Sequence, residues 1–147
     1  MNLLKDKSLK IEIPTKKKYL HSFEIHVRWG EMDAIGHVNN ANYFRYMETA
    51  RVSWLSSIGI KLGEDNQSYV IANTFCNFIQ PIEYPDTLKI DTFVSNVGNS
   101  STEFLHEFYK KSSTDKLIAF GICTAVWVDL KNGKGIELPK ELRSYLV

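Results

Sequence analysis

The chain has 147 residues, which suits one domain burying about two thirds of the surface its unfolded form would expose and leaves little room for a second. An apolar share of 44% with 24% charged residues excludes a disordered or collagenous chain. The formal net charge of +1 provides no bulk attraction to nucleic acid or to an anionic membrane surface.

Residues 1–20 place Asp6 and Glu12 among several lysines and contain no unbroken apolar stretch, so no cleaved signal peptide is expected. Lys16, Lys17 and Lys18 are expected to form a solvated flank rather than a phosphate site. Residues 1–21 accordingly read as an N-terminal extension and residues 22–147 as the domain. Phe23, Ile25, Val27 and Trp29 alternate with Glu24, His26 and Arg28, which predicts a strand with one buried face. Two glycines and no periodicity mark residues 30–39 as a loop. Tyr43, Tyr46, Met47, Ala50, Trp54, Leu55 and Ile58 then recur every three or four residues, the apolar stripe of a long helix. Asn39 or Asn40 is suited to cap its first amides, and Gly59 to stop it.

From Tyr69 the chain reads as strand. Val70 to Ile79 alternates until Pro81 and Pro85 interrupt the ladder. Residues 87–95, 102–110 and 117–130 follow as strands, separated by turn residues Asn96, Gly98 and Asn99 and then by residues 112–115. In the last strand Ala119, Gly121, Cys123 and Ala125 share one face, a row small enough to admit the helix closely. The order strand, long helix, four strands predicts an α+β fold in which a curved antiparallel sheet wraps around the helix. Pro139 begins a short terminal segment expected to be helical. The apolar run at residues 117–128 is too short to span a bilayer as a helix. Cys76 and Cys123 lie in apolar strand runs without CxxC or zinc-like spacing, which predicts two reduced core thiols, a cytoplasmic setting and no metal site.

Chemistry concentrates between Arg28 and Arg51. Gly36 can turn the loop so that Asp33, seven residues before Asn40, comes beside the free amides of the helix start. A carboxylate that activates water or attacks a carbonyl, with donors for the developing oxyanion, are the two components thioester hydrolysis requires. The same pattern also describes a capping or surface acid. Glu31 and Glu48 are rival carboxylates, although Glu48 lies off the apolar stripe, three residues before Arg51, the spacing of a helical ion pair. His37 is open between ligand contact and a loop-fixing role. Asn39 reads as a cap, whereas Tyr43 and Tyr46 are expected to combine packing with pocket lining. No G-x-S-x-G elbow supports a serine hydrolase.

The run DAIGHVNNANYFRYMETAR, from Asp33 to Arg51, resembles the signature of the hotdog-fold thioesterases of the 4-hydroxybenzoyl-CoA thioesterase type. The resemblance continues through FIQPIEYPD at residues 78–86, GNSS at 98–101, and VWVDL at 126–130 followed by Leu138 and Pro139, covering residues 22–145. It implies a single hotdog domain that hydrolyses acyl-CoA to free acid and CoA, with coenzyme A as part of the substrate and no bound cofactor. It places the catalytic carboxylate at Asp33 and the carbonyl-polarising amide at the helix start near Asn40, with Gly36 shaping the loop. His37, Asn39, Tyr43 and Tyr46 are implied around the substrate. Some relatives carry histidine or tyrosine at the position of Asn40; asparagine cannot relay protons, so its side chain is expected to orient substrate or water. Other branches place a catalytic acid on the helix, which makes Glu48 the alternative. A homodimer or tetramer is implied, with Asp33 facing residues 71–78 of a second copy and Lys110, Lys111, Lys131 and Lys134 as candidates for the CoA phosphates. An acyl-carrier-protein thioesterase and a non-catalytic acyl-thioester binding module are the alternatives; neither a nucleic-acid partner nor a membrane span is expected.

Overall fold

A computed structural model describes residues 11–147. The expectation of no signal peptide, as far as it concerns residues 1–10, lies outside the described residues. The elements are β1 (Lys18–His26), α1 (Asn40–Ser57), β2 (Gln67–Phe78), β3 (Thr87–Val97), β4 (Ser101–Lys110), β5 (Ser113–Asp129) and α2 (Lys140–Leu146). The five strands form one antiparallel sheet in the order β1-β3-β4-β5-β2.

The expected wrap of a curved sheet around the helix does not occur. Among the described residues the sheet is open, with β1 and β2 as unjoined edges, and α1 lies against one face. Ala41, Arg45, Glu48, Val52 and Ser56 form an exposed stripe along α1 that an enclosing sheet would cover. Only the apolar stripe of an amphipathic helix needs a partner, and one sheet face supplies it, so nothing drives the edges to close over the polar side.

The helix itself follows its local signals. Asn39 caps it, its side-chain oxygen accepting from the Ala41 N–H at 2.9 Å. The buried residues Tyr43, Tyr46, Met47, Ala50, Trp54 and Leu55 are those of the apolar stripe. Gly59, at φ +77°, takes the left-handed conformation that ends a helix.

On the sheet, Ala119, Gly121 and Cys123 stand opposite Phe108, His106 and Phe104 and face α1. A Cβ added to Gly121 would collide with Met47 Sδ and lie 3.0 Å from the Phe75 carbonyl oxygen. The helix therefore seats against this strand only because the position is glycine. Strict alternation fails at several places, two of which bear on the expectations from sequence. β1 ends at His26, so Trp29 enters a single 3-10 turn and is 77% exposed instead of buried. A bulge between Ile71 and Asn73 takes Ala72 out of the pairing with β5, which shifts the facing of β2 beyond it. The lysine flank is exposed, as expected, although two of its lysines have partners. Lys17 pairs with Glu107 and lies 4.6 Å above the Phe93 ring, while Lys18 donates to the carbonyls of Tyr145 and Val147. Among the described residues no helix is long and apolar enough to cross a membrane.

Candidate active site

An isolated bridge between Met32 and Val38 closes a tight loop over residues 33–37. The Asp33 N–H donates to the His37 carbonyl at 2.7 Å and the Gly36 N–H to the Asp33 carbonyl at 3.1 Å. Gly36 sits at φ +79°, where a side chain would be strained. The loop holds its own carboxylate: Asp33 Oδ1 accepts from the Ile35 N–H at 2.9 Å and the His37 N–H at 3.2 Å. Asp33 Oδ2 has no hydrogen-bond partner among the described residues. The loop is in turn docked on the domain by Val38 N–H to the Ile82 carbonyl at 2.7 Å and by Asn42 Nδ2 to the Glu31 carbonyl at 3.1 Å.

Asp33, His37, Val38, Asn40 and Tyr43 line one side of a cleft of about 380 Å³, and Phe78, Ile79, Gln80 and Pro81 line the other. The Asn40 N–H opens the helix and has no acceptor among the described residues. It lies at the positive end of α1, where the backbone dipoles favour negative charge. Tyr43 is buried and rigidly framed, its ring 4.7 Å from Phe78 in an edge contact and 5.7 Å from Phe108. Burial, more than the neighbouring Cys76, pushes its phenol up to about 12, so the hydroxyl is protonated at neutral pH. At the mouth, His37 Nε2 lies 3.5 Å from Glu83 Oε1.

The other candidates lie elsewhere. Gly36 shapes the loop without lining this cleft, and Asn39 is spent on the helix cap. Tyr46 is fully buried on the sheet-facing side of α1, beside a different cleft that includes Arg28 and Glu31. Its phenol is raised by burial and by Glu31. Glu48 lies mid-helix beside a third cleft, and the expected ion pair with Arg51 does not form. Lys110 and Lys111 are engaged by Asp86 at 3.6 Å and Glu24 at 3.1 Å. Sequence reasoning missed Ile79, Gln80 and Pro81 as lining residues. The break at Pro81 was legible, but the Ile79 and Gln80 amides both donate to the Ile118 carbonyl at 3.0 Å, a long-range contact that folds the strand end toward the loop.

Both cysteines are free and buried. Burial pushes the Cys76 thiol up to about 12 and raises Cys123 as well, so neither presents a thiolate nucleophile. Among the described residues no group of three or more His, Cys, Asp or Glu is placed to hold a metal ion. What the main cleft offers is a fixed carboxylate and an unpaired amide together on one side of the same small space.

Residues 27–146 match the family model described as the thioesterase-like superfamily. The chain is 29% identical over 125 residues to the long-chain acyl-CoA thioesterase FadM of Escherichia coli (strain K12), covering 84% of this chain and 94% of that protein. It is 30% identical over 131 residues to the chloroplastic acyl-acyl carrier protein thioesterase ATL3 of Arabidopsis thaliana, covering 86% of this chain and 67% of that protein. Among solved structures, the PA2801 protein of Pseudomonas aeruginosa superposes with a TM-score of 0.84 at 31% identity, over 88% of this chain and 100% of that one. The chain belongs to the hotdog-fold, thioesterase-like superfamily and is a thioester hydrolase.

Proposed function

We propose that this chain hydrolyses acyl-CoA thioesters to a free carboxylic acid and coenzyme A in the cleft between Asp33 and Asn40. The observation that carries this reading is the unbonded Asp33 Oδ2 in the same cleft as the unpaired Asn40 amide. The thioester oxygen accepts from the Asn40 N–H. A water gives a proton to Asp33 and adds to the carbonyl carbon; the C–S bond then breaks and the sulfur leaves with the proton as free thiol. Direct attack by Oδ2, giving a mixed anhydride that water opens, uses the same atoms. Tyr43 and the half-exposed Phe78, which line the cleft, receive the first carbons of the acyl group. The side-chain amide of Asn40 orients substrate and carries no proton.

Hydrolysis of acyl-carrier-protein thioesters is the second reading, favoured by the resemblance to ATL3. Thiol release measured on matched acyl-CoA and acyl-carrier-protein substrates separates the two. A higher kcat/KM for acyl-CoA is expected; a reproducible preference for the carrier protein replaces the first reading with the second. Saturable acyl-CoA binding with no thiol release from either carrier points instead to a binding module.

Self-association through β2 accompanies this reading. β2 is a free edge that exposes Val70 at 43% and Ile71 at 44%, with Ile79 at 47% just beyond it. Pairing with the same edge of a second copy satisfies its backbone groups and covers these side chains. Sedimentation is expected to show a dimer or a larger even assembly, and Val70→Lys to shift it toward monomer. A native protein that sediments as a monomer at micromolar concentration sinks the idea.

A further inference from the structure

Away from the Asp33 cleft, the cleft beside Glu48, of about 150 Å³, lies between the middle of α1 and β2. Its floor is hydrocarbon, formed by the buried Leu55, Phe104 and Ala125. Into this apolar setting the chain places one guanidinium. Arg51 is half-buried, its Nη1 is 3.4 Å from His106 Nε2, and no carboxylate among the described residues pairs with it. Glu48, one turn earlier on the rim, is exposed and leaves Arg51 unmatched.

His106 does not serve as counter-ion. It is fully buried, with Nδ1 held 3.0 Å from Thr92 Oγ1. Burial, and then the charge of Arg51, keeps its pKa well below the ordinary histidine range, so the ring is neutral. The Tyr69 hydroxyl, on the cleft wall, is already bonded to Thr102 Oγ1 at 2.7 Å. A cation backed by a neutral core and flanked by hydrocarbon is costly until an anion joins it. The planar fork of a guanidinium matches a carboxylate, and a hydrocarbon cavity of about 150 Å³ takes a benzene ring.

We propose that this cleft is a second ligand site for a small monocarboxylate with a short aliphatic or aromatic body. The carboxylate sits on Arg51, and the body lies against Leu55, Phe104 and Ala125. The free acid released by thioester hydrolysis is one such molecule, so the site can register product; the site itself does not depend on the catalytic reading, because its test measures binding and not turnover.

The test is calorimetric titration of the full chain with benzoate and hexanoate, and with the isosteric benzamide and hexanamide. Each acid is expected to bind saturably and about tenfold or more tightly than its amide, the margin of a charge-assisted hydrogen-bonded pair. That comparison needs no substitution. Arg51→Gln, checked for folding by circular dichroism, is expected to bring acid binding down to the amide level, whereas Asp33→Asn leaves it unchanged. The site is overturned if neither acid binds, if acids and amides bind alike, or if Asp33→Asn removes acid binding while Arg51→Gln does not. A failed hydrolase reading shows instead as absent thiol release with the acid preference intact.

Discussion

Replacing Asp33 with asparagine is expected to lower acyl-CoA turnover by about 100-fold to 10,000-fold, the range a positioned acid or base contributes, without loss of fold or assembly. The substitution is informative because of how the loop uses the two carboxylate oxygens. Oδ1 accepts from the Ile35 and His37 amides at 2.9 and 3.2 Å, and an asparagine oxygen can accept both bonds in its place. Oδ2 is the oxygen left free for chemistry; an amide nitrogen there neither takes a proton from water nor attacks a carbonyl. Loss of a group that acts only in the transition state lowers kcat and leaves KM nearly unchanged. Steady-state thiol release across an acyl-CoA panel, run on both proteins, reads this directly. Equal rates for the two proteins remove Asp33 from the mechanism.

Gly121→Val is expected to be the most damaging single change to the fold, with a loss of about 3 kcal/mol, at the upper end of ordinary overpacking. Any Cβ at this position meets two obstacles of different kinds. One is Met47 Sδ, the flexible end of a fully buried side chain; the other is the Phe75 carbonyl at 3.0 Å, backbone in the ladder between β2 and β5. Met47 can yield only by lifting α1, and the carbonyl only by shifting an edge strand. Because α1 also carries the Asn40 amide, activity is expected to fall along with stability. Denaturant unfolding measures the first effect as a lower midpoint at unchanged slope. Gly135→Ala, whose added Cβ has no neighbour nearer than 3.4 Å, is the matched comparison. A Gly121→Val midpoint equal to that of the native protein contradicts the close seating of the helix on β5.

Several features of the site were legible before any coordinates. The spacing of Tyr43, Tyr46, Met47, Ala50, Trp54 and Leu55 marked the buried stripe of α1, because a 3.6-residue period is a property of one helix and needs no knowledge of its partner. The small row on β5 foretold a close approach, since only a neighbour explains side chains that small in a core strand. Asp33, Gly36 and Asn40 belong to one short segment, so their proximity follows from a tight turn running into a helix start. Other features were beyond local reading. Trp29 continued an alternating pattern, yet the chain had already left the sheet, and the ring is exposed. Glu48 and Arg51 had the spacing of an ion pair, but Arg51 is drawn inward to His106, a residue of β4 far away in sequence.

By itself, the sequence determined the helix and its pair of candidate capping asparagines, the strands, the small-residue seat on β5 and the segment that bears the candidate site, because each depends on periodicity or turn chemistry within one element. Only the tertiary structure decided that the sheet stays open, that residues 78–81 close the Asp33 cleft, and that Arg51 faces a neutral imidazole without a counter-ion. These depend on long-range packing, where the burial of one stripe of α1 is satisfied by a single sheet face and the remaining edges and charges are left to whatever the fold brings near them.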